Sequence, residues 1–396
     1  MLRSLFTGIS GLRANQTMMD TTGNNIANVN TTGYKTSNTV FEDTLSQTLK
    51  SATAGTSNLG GTNPAQIGLG VKVAGIFTNF SQGAAQTTGR SMDLMIQGDG
   101  FFVQNLGNTA SYTRNGSLSM DNLGRLVGVD GGIMQGWMVD DTTGEINTNG
   151  SAGDISIPLA ATLPGGATKT VKLAGNLPSD TTSTTPIESS ITVYNEIGVP
   201  RTLTMKLSHV GAAGSNDWSV ELSDGDSATT TTPISFSSPT QATPPTATLG
   251  DVTVDLSKLT QYAGLSTLTT ESQDGAIPGT LTGFAIGSDG VVTGSFSNGQ
   301  TRALARLAIA SFANPGGLEK AGNSSWRTTV DSGLAQVGIP GSGQRGTLVA
   351  GTLEMSNVDL AQEFTNLIIA QRGFQANSRM ITASDEILQD LINIKR

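Results

Sequence analysis

The chain contains no cysteine. That excludes disulfides, thiolate metal ligands, cysteine nucleophiles and cysteine-held iron–sulfur clusters together. Its one histidine, His209, excludes a multi-histidine zinc site and leaves a single imidazole for acid–base work. Charged residues are scarce at 13%, about half the usual share, and aromatics reach 5%. No apolar run approaches the roughly 18 residues of a membrane-spanning helix. The opening stretch MLRSLFTGISGLRANQ is broken by Arg3, Arg13 and Asn15 and offers no small-residue cleavage site, so Sec-type export is not expected. With 31 acidic against 22 basic residues the net charge is −9, which repels phosphate backbones and anionic lipid. Neither nucleic-acid binding nor membrane insertion is expected.

What is present is length and glycine. The 396 residues accommodate two or three domains, and 50 glycines amid many serines and threonines suit short strands and tight turns. Helical periodicity is confined to the two ends. Leu360, Leu367, Phe374, Ile381 and Leu388 recur at spacing seven, with Phe364 in a mixed companion column. The pattern predicts a helix over about 357–394, capped by Asn357 or Ser356, with Asp359 and Glu363 in its first turns and Lys395 and Arg396 at its end. At the other end Leu5, Leu12, Met19 and Ile26 repeat the spacing, with Leu2 and Ile9 between them. Gly8, Gly11, Gly23 and Gly373 lie inside these helices at a cost of about 1 kcal/mol each relative to alanine. Helices weak alone yet patterned for a seam need burial from elsewhere, either each other or copies of the chain.

Charge follows the same division. Residues 1–50 carry four basic and three acidic groups and residues 357–396 four and five, so the intervening 306 residues hold the whole −9. That middle reads as strands: Val71–Phe77, Leu94–Val103, Ser190–Asn195, Arg201–Val210, Trp218–Leu222, Gly283–Ile286 and Arg306–Phe312. Ser288-Asp289-Gly290 and Ser297-Asn298-Gly299 are expected tight turns. The uncharged, proline-bearing stretch Ser227–Gly250 reads as a surface connector, and Ser51–Val71 as an extended linker or an ordered packing segment.

Catalytic constellations are not found. There is no GxxxxGK[ST] loop and no strand-following GxGxxG. Gly8-Ile9-Ser10-Gly11 is one residue short of a nucleophile elbow and sits on the leucine-patterned end. Asp224-Gly225-Asp226 and Asp121-Asn122-Leu123-Gly124 lack the glutamate that closes a calcium loop and read as acidic turns, and Asp140-Asp141 and Glu42-Asp43 are sequence neighbours with no implied spacing in space. His209 reads as a surface or turn residue. No catalytic residue, cofactor or metal site is expected, and the chain is not read as an enzyme.

Three blocks carry a resemblance. Gly23-Asn24-Asn25-Ile26-Ala27-Asn28-Val29-Asn30-Thr31-Thr32-Gly33-Tyr34-Lys35 is similar to the signature of the axial proteins of the bacterial flagellar rod and hook. The stretch Gly89–Phe102, continued by Tyr112-Thr113-Arg114-Asn115-Gly116, resembles the first globular segment of that family. Ser356–Leu360 and Ile369–Asn377 resemble its C-terminal signature, and Ala313–Leu318 fits as well. Ile191–Gly198, Leu203–Val210 and Asn216-Asp217-Trp218 resemble the outer domain that hook members insert and rod members lack. Arg3-Ser4-Leu5 and Phe41-Glu42-Asp43 have a rod-like character, which keeps a distal rod subunit as the alternative. A secreted β-rich adhesin or enzyme is the competing class.

The resemblance implies an α+β, mostly β, nested protein. Residues 1–30 and 357–396 would form an inner helical polymerisation domain, 31–70 and 350–356 a connecting segment, 71–167 and 273–349 a first β-rich domain, and 168–272 an inserted outer β-rich domain. The implied function is a structural one: a hook subunit that polymerises into a curved tube and acts as a universal joint between rod and filament, outside the cell. The twelve apolar residues Leu2, Leu5, Ile9, Leu12, Met19, Ile26, Leu360, Phe364, Leu367, Phe374, Ile381 and Leu388 would form the polymerisation interface. Further copies of the chain, the distal rod protein, the hook cap, the hook–filament junction proteins and the flagellar type III export apparatus are the implied partners. Phe41 and Leu45 match a Phe-x-x-x-apolar export-gate element, a short pattern for which a packing role serves equally.

Overall fold

The computed structural model describes the chain apart from residues 1, 56–59, 141–142, 159–161, 180–185, 212–214, 225–228, 244–245 and 395–396, and apart from the side chains of Leu2, Gln241, Leu391 and Ile394. Two helices, α1 (Leu2–Ala27) and α2 (Leu360–Ile394), bracket a succession of short strands. Contacts divide the chain into two units. The first comprises Met1–Ile157, Ala285–Thr293 and Ala303–Arg396, the second Pro158–Phe284 and Gly294–Arg302.

In the first unit α1 and α2 pair antiparallel. Ser4 meets Ser384 with the hydroxyls 3.4 Å apart, and Gly8 lies against Ile381. Gly11 lies against Asn377, and Gly373 against Asn15. The contact line is mostly small and polar, with Ile381 the heptad residue that lies on it. Glycine is what lets the axes approach, so residues that weaken each isolated helix are the ones the pair requires. The start of α2 differs from expectation. Asp359 is the cap: its Oδ1 accepts the backbone N–H of Ala361 (2.9 Å) and Gln362 (3.2 Å), while Asn357 is engaged elsewhere.

The β part of this unit centres on Phe101–Leu106, which pairs antiparallel with Thr109–Thr113, Ile133–Met138 and Ile309–Ser311. Its core gathers Phe101, Val103, Tyr112, Trp137, Phe312 and Trp326, with edge-to-face rings at 5.6 Å (Phe101–Phe312) and 4.9 Å (Tyr112–Phe312). Two runs expected to be single strands are each broken in two. Leu94–Gln97 and Phe101–Leu106 are separated by Gly98 (φ 103°) and Gly100 (φ 128°), and the first pairs instead with Thr347–Ala350. Similarly, Thr301–Leu307 stops before Ile309–Ser311. Both expected turns are present. Gly290 donates to Gly287 and Gly299 to Phe296, with φ of 79° and 78°.

The second unit is a sandwich. One sheet orders Thr246–Leu249, Val252–Tyr262, Thr170–Pro178 and Thr269–Gln273, its two central strands parallel. The other is an antiparallel meander of Ile187–Tyr194, Pro200–His209, Asp217–Ser223, Thr229–Ser238 and Gln241–Thr243. One core, including Leu173, Leu203, Met205, Trp218, Phe236 and Val254, draws on both sheets. The stretch 227–250 is therefore not a surface connector. Ile234, Phe236, Ala247 and Leu249 are buried in that core, and threonine supplies the outward positions of the alternation. Pro233 faces Ser219 on one side, and among the described residues the neighbouring Gln241–Thr243 strand reaches only to Ser235 on the other, so no described partner needs the N–H that proline lacks there.

Candidate self-assembly surface and the signature hub

The twelve interface residues expected from the heptads divide by exposure. Leu5, Leu12, Met19, Ile26, Leu367, Phe374, Ile381 and Leu388 are half-buried in the helix pair, whereas Ile9, Leu360 and Phe364 face solvent. The side chain of Leu2 lies outside the described residues. Periodicity alone missed Phe6 (67% exposed), Ile368 (56%), Ile369 (57%) and Ile387 (54%). Their exposure follows from the glycine contact line, which turns the heptad columns partly outward. The small residues at spacing three to four, Gly8, Gly11 and Ala14 opposite Ala370 and Gly373, were the readable sign of that close approach. Full burial of a large apolar side chain is worth roughly 1.5–3 kcal/mol, and each of these, still partly exposed, withholds a part of that.

Where the chain leaves α1 and returns to α2, the signature residues assemble a hub. Asn25 acts as a strand edge: its Nδ2 donates to Ser37 O (2.8 Å), and its Oδ1 accepts from Ser37 N and from the Tyr34 hydroxyl, both at 3.1 Å. Asn357 mirrors it, accepting from Thr36 N (2.8 Å) and donating to Asn79 O (2.9 Å) and Ser81 O (3.1 Å). Gly33, at φ 68°, lies where a Cβ would come within 2.8 Å of Asn115 N, so two signature blocks distant in sequence touch through it.

The centre of the hub is Glu354, fully buried. Its Oε1 accepts from Lys35 Nζ (2.6 Å) and Gly83 N (2.9 Å), and its Oε2 faces Arg114 Nη1 at 3.4 Å. Lys35 also donates to Ser81 O (2.7 Å) and Arg114 to Gly98 O (2.9 Å). Burial holds both cations below their ordinary pKa, against the pull of Glu354. Tyr34 is pushed up, first by burial and then by the charge of Glu363. One carboxylate thus ties the outgoing strand, the returning strand and the β-rich core together. Lys35 and Arg114 stand in the quoted motifs, but no pattern in the sequence singles out Glu354.

The remaining sequence-derived residues belong to neither feature. Phe41, on the Ser37–Asp43 strand, is 38% exposed, and Leu45 is 84% exposed beyond its end. Neither belongs to the buried cores of the described residues. The 51–71 segment is not an extended linker: among its described residues Ala65–Gly68 pairs antiparallel with Ser46–Lys50 and Thr53 bridges Thr62, with both strands solvent-exposed. His209 packs edge-on to Trp218 (5.2 Å) with its Nε2 3.0 Å from Ser215 O. Asp121 closes a turn, accepting from Leu123 N and Arg125 N, and Asp224 pairs with Arg201 (2.7 Å). Asp141 and Asp226 lie outside the described residues. Among the described residues no group of three or more histidine, cysteine or acidic side chains is placed to hold a metal, and no helix is long and apolar enough to cross a membrane.

A chain whose two ends pair into one helical stem and whose middle is β-rich defines a nested protein built from the outside inward. Three family profiles match it: flagella basal body rod protein over residues 5–35, the flagellar hook protein FlgE/F/G D1 domain over 95–204, and the flagellar basal body rod FlgEFG protein C-terminal region over 349–394. The chain is 37% identical to the flagellar hook protein FlgE of Treponema pallidum and 34% identical to the flagellar basal-body rod protein FlgG of Bacillus subtilis, in both cases over the whole of each chain. The fold is similar to that of the Helicobacter pylori flagellar hook protein FlgE2, with a TM-score of 0.53 at 14% identity over 68% of this chain and 99% of that one. The chain belongs to the family of bacterial flagellar hook and basal-body rod proteins.

Proposed function

We propose that this chain is the structural subunit of the flagellar hook, polymerising through its terminal helices into a flexible tube that carries torque from rod to filament. The observation that carries the reading is the unpartnered apolar surface of the helix pair, formed by Phe6, Ile9, Phe364, Ile368, Ile369 and Ile387. Copies of the same chain bury it in the assembly, completing helices that are marginal alone. In this reading the chain divides into an inner helical domain, a connecting segment, a first β-rich domain and an inserted outer β-rich domain. The distal rod protein, hook cap, junction proteins and type III export apparatus are the partners of that reading, and the exterior of the cell is its location. Phe41 and Leu45, both accessible, are the proposed export-gate contact. No catalytic role is proposed.

The likeness to a protein named FlgG favours a second reading, a distal rod subunit. Electron microscopy of the polymerised protein separates the two: curved tubes support the hook, and uniformly straight tubes support the rod. Monodisperse globules at high protein concentration would sink both.

A further inference from the structure

Glu363, in the first turn of α2, is 5% exposed, yet its carboxylate has no hydrogen-bond or ion-pair partner among the described residues. It is one position too far along the helix to close a capping box on Asp359, and the positive end of the helix does not by itself account for so deep a burial. Even the Tyr34 hydroxyl, close enough to feel its charge, donates to Asn25 instead. Glu363 lines a cavity of about 370 Å³ with Asp359, Thr21, Thr22, Asn38 and Asn366. That wall is rich in oxygen acceptors and contains no basic side chain.

The chain also holds the complementary groups. Arg3, Arg13, Arg372 and Arg379 are exposed on the same two helices, and none of their guanidinium groups has an ion-pair or hydrogen-bond partner among the described residues. A guanidinium carries five donors and no acceptor, stays charged at every relevant pH and matches paired carboxylate oxygens. A carboxylate that reaches solvent only through such a cavity gains more from a counter-charge supplied there than an exposed one does. We propose that the cavity receives an arginine from the terminal helices of a second copy of this chain, making Glu363 a lock that forms on assembly. The proposal rests on the self-assembly reading above and names its ionic contact.

The test measures the protein concentration needed to form tubes, with the melting temperature of the monomer alongside. Glu363→Gln is expected to leave the monomer's melting temperature unchanged or higher, and to raise the critical concentration at least about tenfold with a weaker salt dependence. Glu363→Arg is expected to abolish assembly, and combining it with one of Arg3→Glu, Arg13→Glu, Arg372→Glu or Arg379→Glu to restore it. Glu363→Gln tubes with wild-type critical concentration and salt response overturn the proposal while leaving the assembly reading intact. Calcium that raises the melting temperature of wild-type monomer but not of Glu363→Gln overturns it in favour of a metal ion. A wild-type chain that never forms tubes overturns the assembly reading and this occupant together.

Discussion

The side chain of Asn377 lies directly over Gly11, where a Cβ would fall 2.6 Å from its Nδ2, and Asn15 stands in the same relation to Gly373. Each asparagine also donates to the carbonyl of the glycine four residues before it: Asn15 Nδ2 to Gly11 O (2.8 Å) and Asn377 Nδ2 to Gly373 O (2.9 Å). The two helices therefore interlock through a reciprocal Gly-x-x-x-Asn key, which fixes their register more sharply than a leucine seam would.

Gly11→Ala sets a helix-propensity gain of about 1 kcal/mol against displacement of Asn377, which loses its bond and overpacks the contact, so a net loss of about 1–2 kcal/mol is expected. Gly23→Ala meets nothing within 4 Å and is expected to stabilise by up to about 1 kcal/mol. Urea titrations of the two variants check the opposite signs.

Glu354→Ala leaves Lys35 and Arg114 buried without their carboxylate and is expected to cost about 3–5 kcal/mol. Chemical denaturation reads the loss directly. A variant within 1 kcal/mol of wild type would show that the hub carries no such ionic centre.

Lys35 is held below the ordinary lysine pKa chiefly by burial. Between its folded value and the ordinary one, the unfolded chain binds more protons, so stability rises with pH across that window and is level above it. Lys320, also lowered by burial, adds to the same rise. The slope of the urea midpoint against alkaline pH should therefore shrink in Lys35→Met, and an unchanged slope would count against the assignment.

Phe364 is 50% exposed, so Phe364→Ser is expected to change monomer stability by less than about 1 kcal/mol while raising the critical concentration for tubes by tenfold or more. Sedimentation of concentrated protein against a calorimetric scan of dilute protein tells the two effects apart.

Trp218 is 1% exposed at the centre of the second unit. Trp218→Ala is expected to remove about 3–5 kcal/mol from that unit. In a calorimetric trace it should lower the transition of the β sandwich and leave that of the helix pair in place.

Much of this was legible in the residues, because helical periodicity and turn chemistry are local. Leu360 to Leu388 marked α2, Leu5 to Ile26 marked α1, and Ser288-Asp289-Gly290 and Ser297-Asn298-Gly299 marked their turns. Where local pattern and tertiary structure differ, the deciding contact is distant. The 227–250 stretch looked like a connector because threonine and proline are polar or turn-forming by habit, yet Phe236 and Leu249 find a core in strands far away in sequence. Asn357 looked like a helix cap until Thr36 and Asn79, hundreds of residues earlier, claimed its amide.

By itself, then, the sequence determined an α+β chain with helical ends and a β-rich middle. Spacing and composition suffice for that, since each is a property of neighbours along the chain. Only the tertiary structure decided that the helices meet on glycine and asparagine, that Glu354 gathers Lys35 and Arg114, and that Glu363 is buried without a partner. Those are relations between segments up to several hundred residues apart, and close approach, burial and charge pairing exist only once the chain has brought its ends together.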